Sequence, residues 1–238
     1  MRKPIQWQYG VTTVPARAGE LLNRTLRSLE AAGFSHPYLF VDNCEATNPH
    51  FLTIPYLVAR RYPCIGLTGN FILALWELYA RNPLSQRYAV FQDDIVCCRG
   101  LRKYLESFYA PNTYQNLCTY PQNQALADGF EGWFHSNQKG RGAQALVFDN
   151  NAVCKLLSQE NLLERIKTGK YRQKTVDGSV VTALAKARVF EIVHNPSLVC
   201  HVGKESTLGN NTMVDCTSFP GEEFDLSTLP LPTIRSLT

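Results

Sequence analysis

Residues 88–94 read YAVFQDD: a short apolar run, a glutamine and two adjacent carboxylates. The run YAVFQ (88–92) predicts a strand buried on both faces, as found in parallel sheets covered by helices. The chain before it supplies matching elements. WQYGVTT with Val14 (7–14) is rich in β-formers. Leu22, Leu26 and Leu29 fall at i, i+4 and i+7, one helical stripe, and Gly33 stops it. YLFV (38–41) is a short apolar strand ending at Asp42, and residues 63–67 are a candidate strand. Asn70 is placed to cap a helix carrying Phe71, Leu75 and Leu78, with Pro83 beyond its end. Leu101, Leu105 and Phe108 mark a further helix. This alternation of strand and helix predicts an α/β chain with a mostly parallel central sheet flanked by helices.

The second half is less regular. NLCTY (116–120), QALVF (144–148), VFEIV (189–193) and SLVCH (197–201) read as strands, and 151–166 and 178–187 as helices, the latter opened by Asp177. From Gly209 onward the chain has little periodicity and reads as a tail that either wraps the surface or is partly mobile. At 238 residues, with about 150 per domain expected, one continuous domain accounts for residues 1–208. Residues 1–110 and 111–208 form its two halves, and 209–238 the tail.

Composition excludes several classes. Hydrophobic residues are 45% and charged residues 18%, so the chain is neither disordered nor a coiled coil. No run approaches ~18 apolar residues, which excludes a membrane-spanning helix as a partner of the bilayer. MRKPIQWQYG shows no apolar signal core, so a cytoplasmic location is expected. Eight cysteines without C-x-x-C or zinc spacing read as reduced, buried thiols. The net charge of +4 hides an asymmetry. Residues 139–188 hold ten Lys/Arg against four acids, an excess of six, leaving the remainder near −2. That stretch is either a solvated face or a surface for a polyanion such as nucleic acid.

In open α/β sheets, ligands bind beyond the carboxyl ends of the strands. The polar residues at those ends are Pro15-Ala16-Arg17, Asp42, Asp93-Asp94 and, late in the chain, His201. Adjacent carboxylates repel unless a cation attends them, and a hard divalent ion with open positions for a diphosphate meets that need. A turn with a helix cap is the plainer alternative. There is no G-x-x-x-x-G-K-[ST] loop, no G-x-G-x-x-G after the first strand and no G-x-S-x-G elbow.

The order of these segments resembles the GT-A class of glycosyltransferases over roughly residues 7–205. YGVTTVPAR with LLNRTLRSLEAAGF resembles the opening strand and helix that hold the sugar nucleotide, and YLFVDN the strand whose acid contacts the nucleoside. GNFILALWELYARNP followed by YAVFQDDIV resembles the approach to the metal-binding D-x-D region, here Gln92-Asp93-Asp94 and similar to the E-D-D form with Gln92 in place of Glu. The resemblance implies a UDP-sugar donor and a divalent ion, Mn2+ or Mg2+. It implies Asp94 and His201 as metal ligands, with His194 the competing histidine. Pro15, Arg17, Asp42, Asn70, Asp93 and Lys204 are implied around the nucleotide sugar. TVDGSVVTAL (175–184) resembles the segment in which inverting members place their general base, which makes Asp177 the catalytic candidate, a role compatible with helix capping. GAQALVF and GFEGWFHSNQKGRG lie on the acceptor side, with Gln144, Trp133 and His135 as candidate contacts; the plainer reading of Trp133 is core packing.

The acceptor is argued from charge. Small GT-A enzymes of bacterial viruses glycosylate hydroxymethylated pyrimidines in DNA, and the basic 139–188 region suits such a polyanion. A saccharide or glycolipid acceptor is the alternative. Two further readings are an inactive nucleotide-sugar or nucleic-acid binding module and a nucleotidyltransferase. The latter fits poorly because VPARAGE (14–20) lacks the Gly-rich basic loop.

Overall fold

The computed structural model describes residues 4–160, 162, 176–203 and 216–235. Among the described residues are ten strands, six α-helices and three short 3₁₀ turns. The strands are β1 (Trp7–Thr13), β2 (Tyr38–Val41), β3 (Val58–Arg60), β4 (Arg87–Gln92), β5 (Ile95–Cys97), β6 (Thr113–Asn116), β7 (Gly132–His135), β8 (Ala145–Asp149), β9 (Phe190–Asn195) and β10 (Val199–His201). The helices are α1 (Glu20–Ala31), α2 (Gly66–Arg81), α3 (Leu101–Glu106), α4 (Pro121–Ala127), α5 (Asn150–Leu157) and, numbered next, α6 (Val176–Lys186).

Eight strands form one sheet in the order β3-β2-β1-β4-β8-β6-β9-β7. Neighbours β3, β2, β1 and β4 are parallel; β8 runs against both β4 and β6, β9 follows β6, and β7 runs against β9. The sheet is therefore mostly parallel, as the alternation of elements predicts. β4 lies inside it, and its side chains alternate between two cores. Ala89 and Phe91 join Leu22, Leu26, Leu29, Leu101 and Leu105 from α1 and α3. Tyr88 and Val90 join Phe71, Leu75, Leu78, Val153 and Val180 from α2, α5 and α6. Each fully buried leucine of the α1 stripe contributes about 1.5–3 kcal/mol. Gly10 is required where β1 passes β2, because a Cβ there would lie 2.4 Å from the Phe40 ring.

Several expectations are corrected. No strand forms at 63–67; the edge strand is Val58–Arg60, and α2 already begins at Gly66. The cause is Asp42, whose carboxylate accepts the N–H groups of Ile65 and Gly66 at 2.9 and 2.8 Å and so starts the helix there. Asn70 thus lies inside α2 rather than at its cap. The strand expected at 116–120 ends at Asn116, because the Asn116 side-chain oxygen accepts the Cys118 N–H and turns the chain. The helix expected over 151–166 ends at Leu157 within the described residues, and most of 161–175 lies outside them. Asp177 sits in the first turn of α6 rather than before it. None of the eight cysteines forms a disulfide, but Cys64 is exposed, since it lies in the loop entering α2. Within 216–235, Ile234 bridges to Trp133 and Asp225 to Arg99. Among the described residues no helix is long and apolar enough to cross a membrane.

Candidate active site

The carboxyl ends of β1 and β4 lie side by side, with Thr12 paired to Gln92. This register sets Thr13 next to the Asp93-Asp94 turn that links β4 to β5, and the Thr13 hydroxyl donates to Asp93. Thr25, on the buried face of α1, fixes the turn from below. Its hydroxyl lies 2.9 Å from the carbonyls of both Asp93 and Ile95, and accepts the Ile95 N–H. A 3₁₀ turn, Pro15–Arg17, follows β1 and ends with Arg17 beside the acids. The Arg17 guanidinium donates to Asp93 at 2.8 Å and also to Asp94.

His201 arrives from the far end of the chain. β10 pairs with β5 so that His201 faces Ile95, and the Val202 N–H donates to the Asp94 carbonyl at 2.8 Å. The His201 Nε2 then lies 2.9 Å from Asp94 Oδ2. Gly203 completes the cradle: a Cβ there would stand 2.9 Å from Asp94 Oδ2 and 3.2 Å from His201 Nε2. The other oxygen of Asp94, Oδ1, is buried without a hydrogen-bond partner.

The two acids titrate apart. Burial raises the Asp93 carboxyl above its ordinary value, and the Thr13 and Arg17 contacts offset only part of that. Burial also raises Asp94, but His201 and Arg17 outweigh it and hold the group below its ordinary value. The hydrogen bond to Asp94 raises His201 against its own burial.

A second group sits at the same edge. The Gln144 carbonyl accepts the Gln92 N–H at 2.8 Å, so residues 140–144 flank the end of β4. The Gln144 amide donates to the Tyr120 hydroxyl at 2.6 Å. From this loop the Gly142 N–H donates to Asp177 Oδ2 at 3.1 Å, and Asp177 Oδ1 accepts the Gly178 N–H. Gly140 has φ +68 and packs on the Asp177 backbone so closely that a Cβ would lie 2.5 Å from its carbonyl oxygen. Asp177 and the acid pair are thus joined through Gln92, Gln144 and Gly142.

Of the residues expected from sequence, Arg17, Asp93, Asp94 and His201 converge directly, Pro15 opens the turn that carries Arg17, and Gln144 and Asp177 stand beside them. Others are placed elsewhere. The Asp42 carboxylate is 3% exposed and engaged with α2, so it holds that helix instead of facing a ligand. Asn70 is buried and donates to the Phe40 carbonyl at 2.9 Å. Trp133 is 0% exposed and stacks on Phe108 in the core, which removes it as an acceptor contact. His135 is level with Ala89 through the ladder Ala89, Val147, Gln115, Ile192, His135, four strands across the sheet and below the carboxyl edge. Lys204 lies outside the described residues. Gln92 turns its amide toward the Ala143 carbonyl at 3.4 Å, away from the acids.

His194 is excluded as the competing ligand by its partners. Nδ1 faces the Pro196 carbonyl at 2.7 Å and therefore carries the proton, while Nε2 accepts from the Tyr104 hydroxyl at 2.8 Å. Burial pushes its pKa down from 6.5 to about 4. The unfolded chain then binds a proton at His194 that the folded chain refuses, so this group lowers stability as pH falls from 6.5 toward 4. The full contribution is about 3 kcal/mol. Urea unfolding at pH 7 and pH 4.5 should show a smaller acid loss in His194→Gln than in the wild type. Equal losses in the two proteins would contradict this assignment.

Thr13, Thr25 and Gly203 were not singled out from sequence. The usable signal for Thr25 was its place on the Leu22–Leu26–Leu29 face, where a hydroxyl is buried only if it finds partners.

No family model matches the chain, and no curated protein matches it. Solved structures do. GalNAc-T7, solved with UDP, GalNAc and Mn2+, is 10% identical with a TM-score of 0.53, over 89% of this chain and 46% of that one. A mannose-1-phosphate geranyltransferase from Thermus thermophilus is 10% identical with a TM-score of 0.48, over 80% of this chain and 74% of that one. At such identities the likeness is one of fold, and the GalNAc-T7 match carries it: the chain has a GT-A type α/β fold. It spans a little under half of the GalNAc-T7 chain.

Proposed function

We propose that this protein transfers the sugar of a UDP-sugar to an acceptor hydroxyl, with inversion at the anomeric carbon. The convergence of Arg17, Asp93, Asp94 and His201 at the carboxyl end of β4 carries this reading. The residues fit a divalent ion. Asp94 and His201 offer an oxygen and a nitrogen donor, suited to Mn2+. Asp94 Oδ1 is a buried acceptor still lacking a partner, and Gly203 leaves the space beside both ligands open. Asp94 and His201 would hold such an ion from the protein side, and no group of three His, Cys, Asp or Glu that could hold a metal is found among the described residues. When bound there, the ion supplies positive charge to the leaving diphosphate.

The protein's own groups do the rest. Arg17 offers a cation to the diphosphate, and Thr13 and Thr25 hold the acid turn in register. Asp177 takes the proton of the acceptor hydroxyl as its oxygen attacks the anomeric carbon. The bond from that carbon to the diphosphate breaks, and UDP leaves with the electron pair. The excess of positive charge over 139–188 supports a polyanion as the carrier of the hydroxyl, and hydroxymethylated pyrimidine DNA is the acceptor we put first.

The test is UDP release with Mn2+ from UDP-glucose and UDP-N-acetylglucosamine, with and without DNA containing hydroxymethyluracil or hydroxymethylcytosine. Release stimulated by modified DNA, with a hexose mass gain on the base, is expected. Metal-dependent release without stimulation would retain sugar transfer and overturn the DNA acceptor. No release from either donor by folded protein would favour a binding module instead.

A further inference from the structure

The acid pair already has a cation of its own. The Arg17 terminal nitrogen bridges Asp93 Oδ1 and Asp94 Oδ2, and all three side chains are nearly buried, at 14%, 5% and 3% exposure. The oxygen of Asp94 that Arg17 holds also faces His201 Nε2. An ion binding between Asp94 and His201 would therefore meet the guanidinium at the same oxygen. Two carboxylates carry −2 and Arg17 carries +1, so a divalent ion arriving alone makes the cluster net positive. Like charges this close, away from water, repel strongly. A diphosphate brings compensating negative charge and offers the planar guanidinium a bidentate partner.

We propose that Arg17 is a counter-ion lock: it occupies the acidic pair until the donor's diphosphate draws it off, so that divalent metal and nucleotide bind as one coupled event. This rests on the nucleotide-sugar reading above and adds an order to it. Metal binding in the absence of nucleotide is suppressed by the protein's own arginine. The coupling is reciprocal, so metal tightens nucleotide by the same factor that nucleotide tightens metal.

The test follows free Mn2+ by electron paramagnetic resonance as it is titrated into the full chain with and without UDP. The wild type should bind Mn2+ at least tenfold more tightly when UDP is present. Arg17→Gln should bind Mn2+ without UDP at least tenfold more tightly than the wild type does, and should lose most of the coupling. Its melting temperature should rise with Mn2+ alone, whereas the wild type should respond only to Mn2+ with UDP. Arg17→Lys keeps the charge but loses the planar guanidinium and its reach, so it should fall between them; it carries the test if Arg17→Gln does not fold. If UDP still binds with Mn2+ but the variants bind Mn2+ alone no more tightly than the wild type, the lock is overturned and the donor reading stands. If the folded wild type binds no UDP at any Mn2+ concentration, the donor reading falls and takes the lock with it.

Discussion

Asp94→Asn is expected to cut UDP release by at least about 10²-fold, the loss typical when one charge-stabilising group is removed from a reacting centre. The asparagine oxygen is a neutral and weak donor to a divalent ion. It also weakens the local network: Arg17 keeps only Asp93 as a carboxylate partner, and His201 Nε2 loses the carboxylate 2.9 Å away. Breaking a buried pair in this way costs about 3–5 kcal/mol, so the melting temperature should drop by roughly 6–20 °C. Asp93→Asn is the informative partner. Its carboxyl is already held above the ordinary value by burial, and the Thr13 hydroxyl can still donate to an asparagine oxygen. The Asp93 variant should therefore lose less activity than the Asp94 variant. Steady-state UDP release, with circular dichroism on the same samples, checks both. An Asp94→Asn protein that keeps more than a tenth of the wild-type rate would remove this carboxylate from the proposed chemistry.

The asymmetry between these two acids explains why one was easier to read than the other. Both follow the apolar run of β4, and the sequence places both at a carboxyl end where ligands bind. What separates them comes from residues distant in the chain. Thr13 attends Asp93 from β1, while His201 reaches Asp94 only because β10 pairs with β5, a three-residue strand too short to leave a periodic signal. β3 escaped notice for the same reason, at three half-buried residues. The helical stripe of α1 and the buried run of β4 were legible because burial on a helix or a central strand imposes a period over many residues. Asp42 and Asn70 misled in an instructive way. A carboxylate at a strand end and an asparagine before an apolar helix fit a nucleoside contact and a cap equally well. The backbone donors of Ile65 and Gly66 decide between these uses for Asp42, and where a loop aims its donors is not written in composition. Trp133 shows the converse: of its two readings, acceptor contact and core packing, burial selects the second, and the Thr233 carbonyl of the tail accepts its backbone N–H.

Asp177→Asn separates catalysis from architecture more cleanly than any other single change. The asparagine oxygen can accept one of the two N–H bonds, from Gly142 or Gly178, that Asp177 now receives, and asparagine caps helices as well as aspartate does. What it cannot do is take a proton from an attacking hydroxyl. It also forfeits the attraction between a negative charge and the first turn of α6, worth about 0.3–1 kcal/mol. The expected result is a fall in turnover of about 10²–10⁴-fold, the usual share of a general base, with a melting temperature within a few degrees of the wild type. UDP affinity in Mn2+ should be unchanged, because Asp177 holds the Gly142 and Gly178 N–H groups and the proposed donor site is the acid pair, whereas Asp94→Asn should weaken it. The opposite pattern is equally readable. Turnover within about twofold of the wild type would make Asp177 a helix-start residue that merely positions the Gly140–Gly142 loop, and the proton would then have to leave through another group at this edge. That pairing of one variant deficient in turnover alone with another deficient in donor binding is what two-sided chemistry at the end of β4 requires, and a binding module would show only the second.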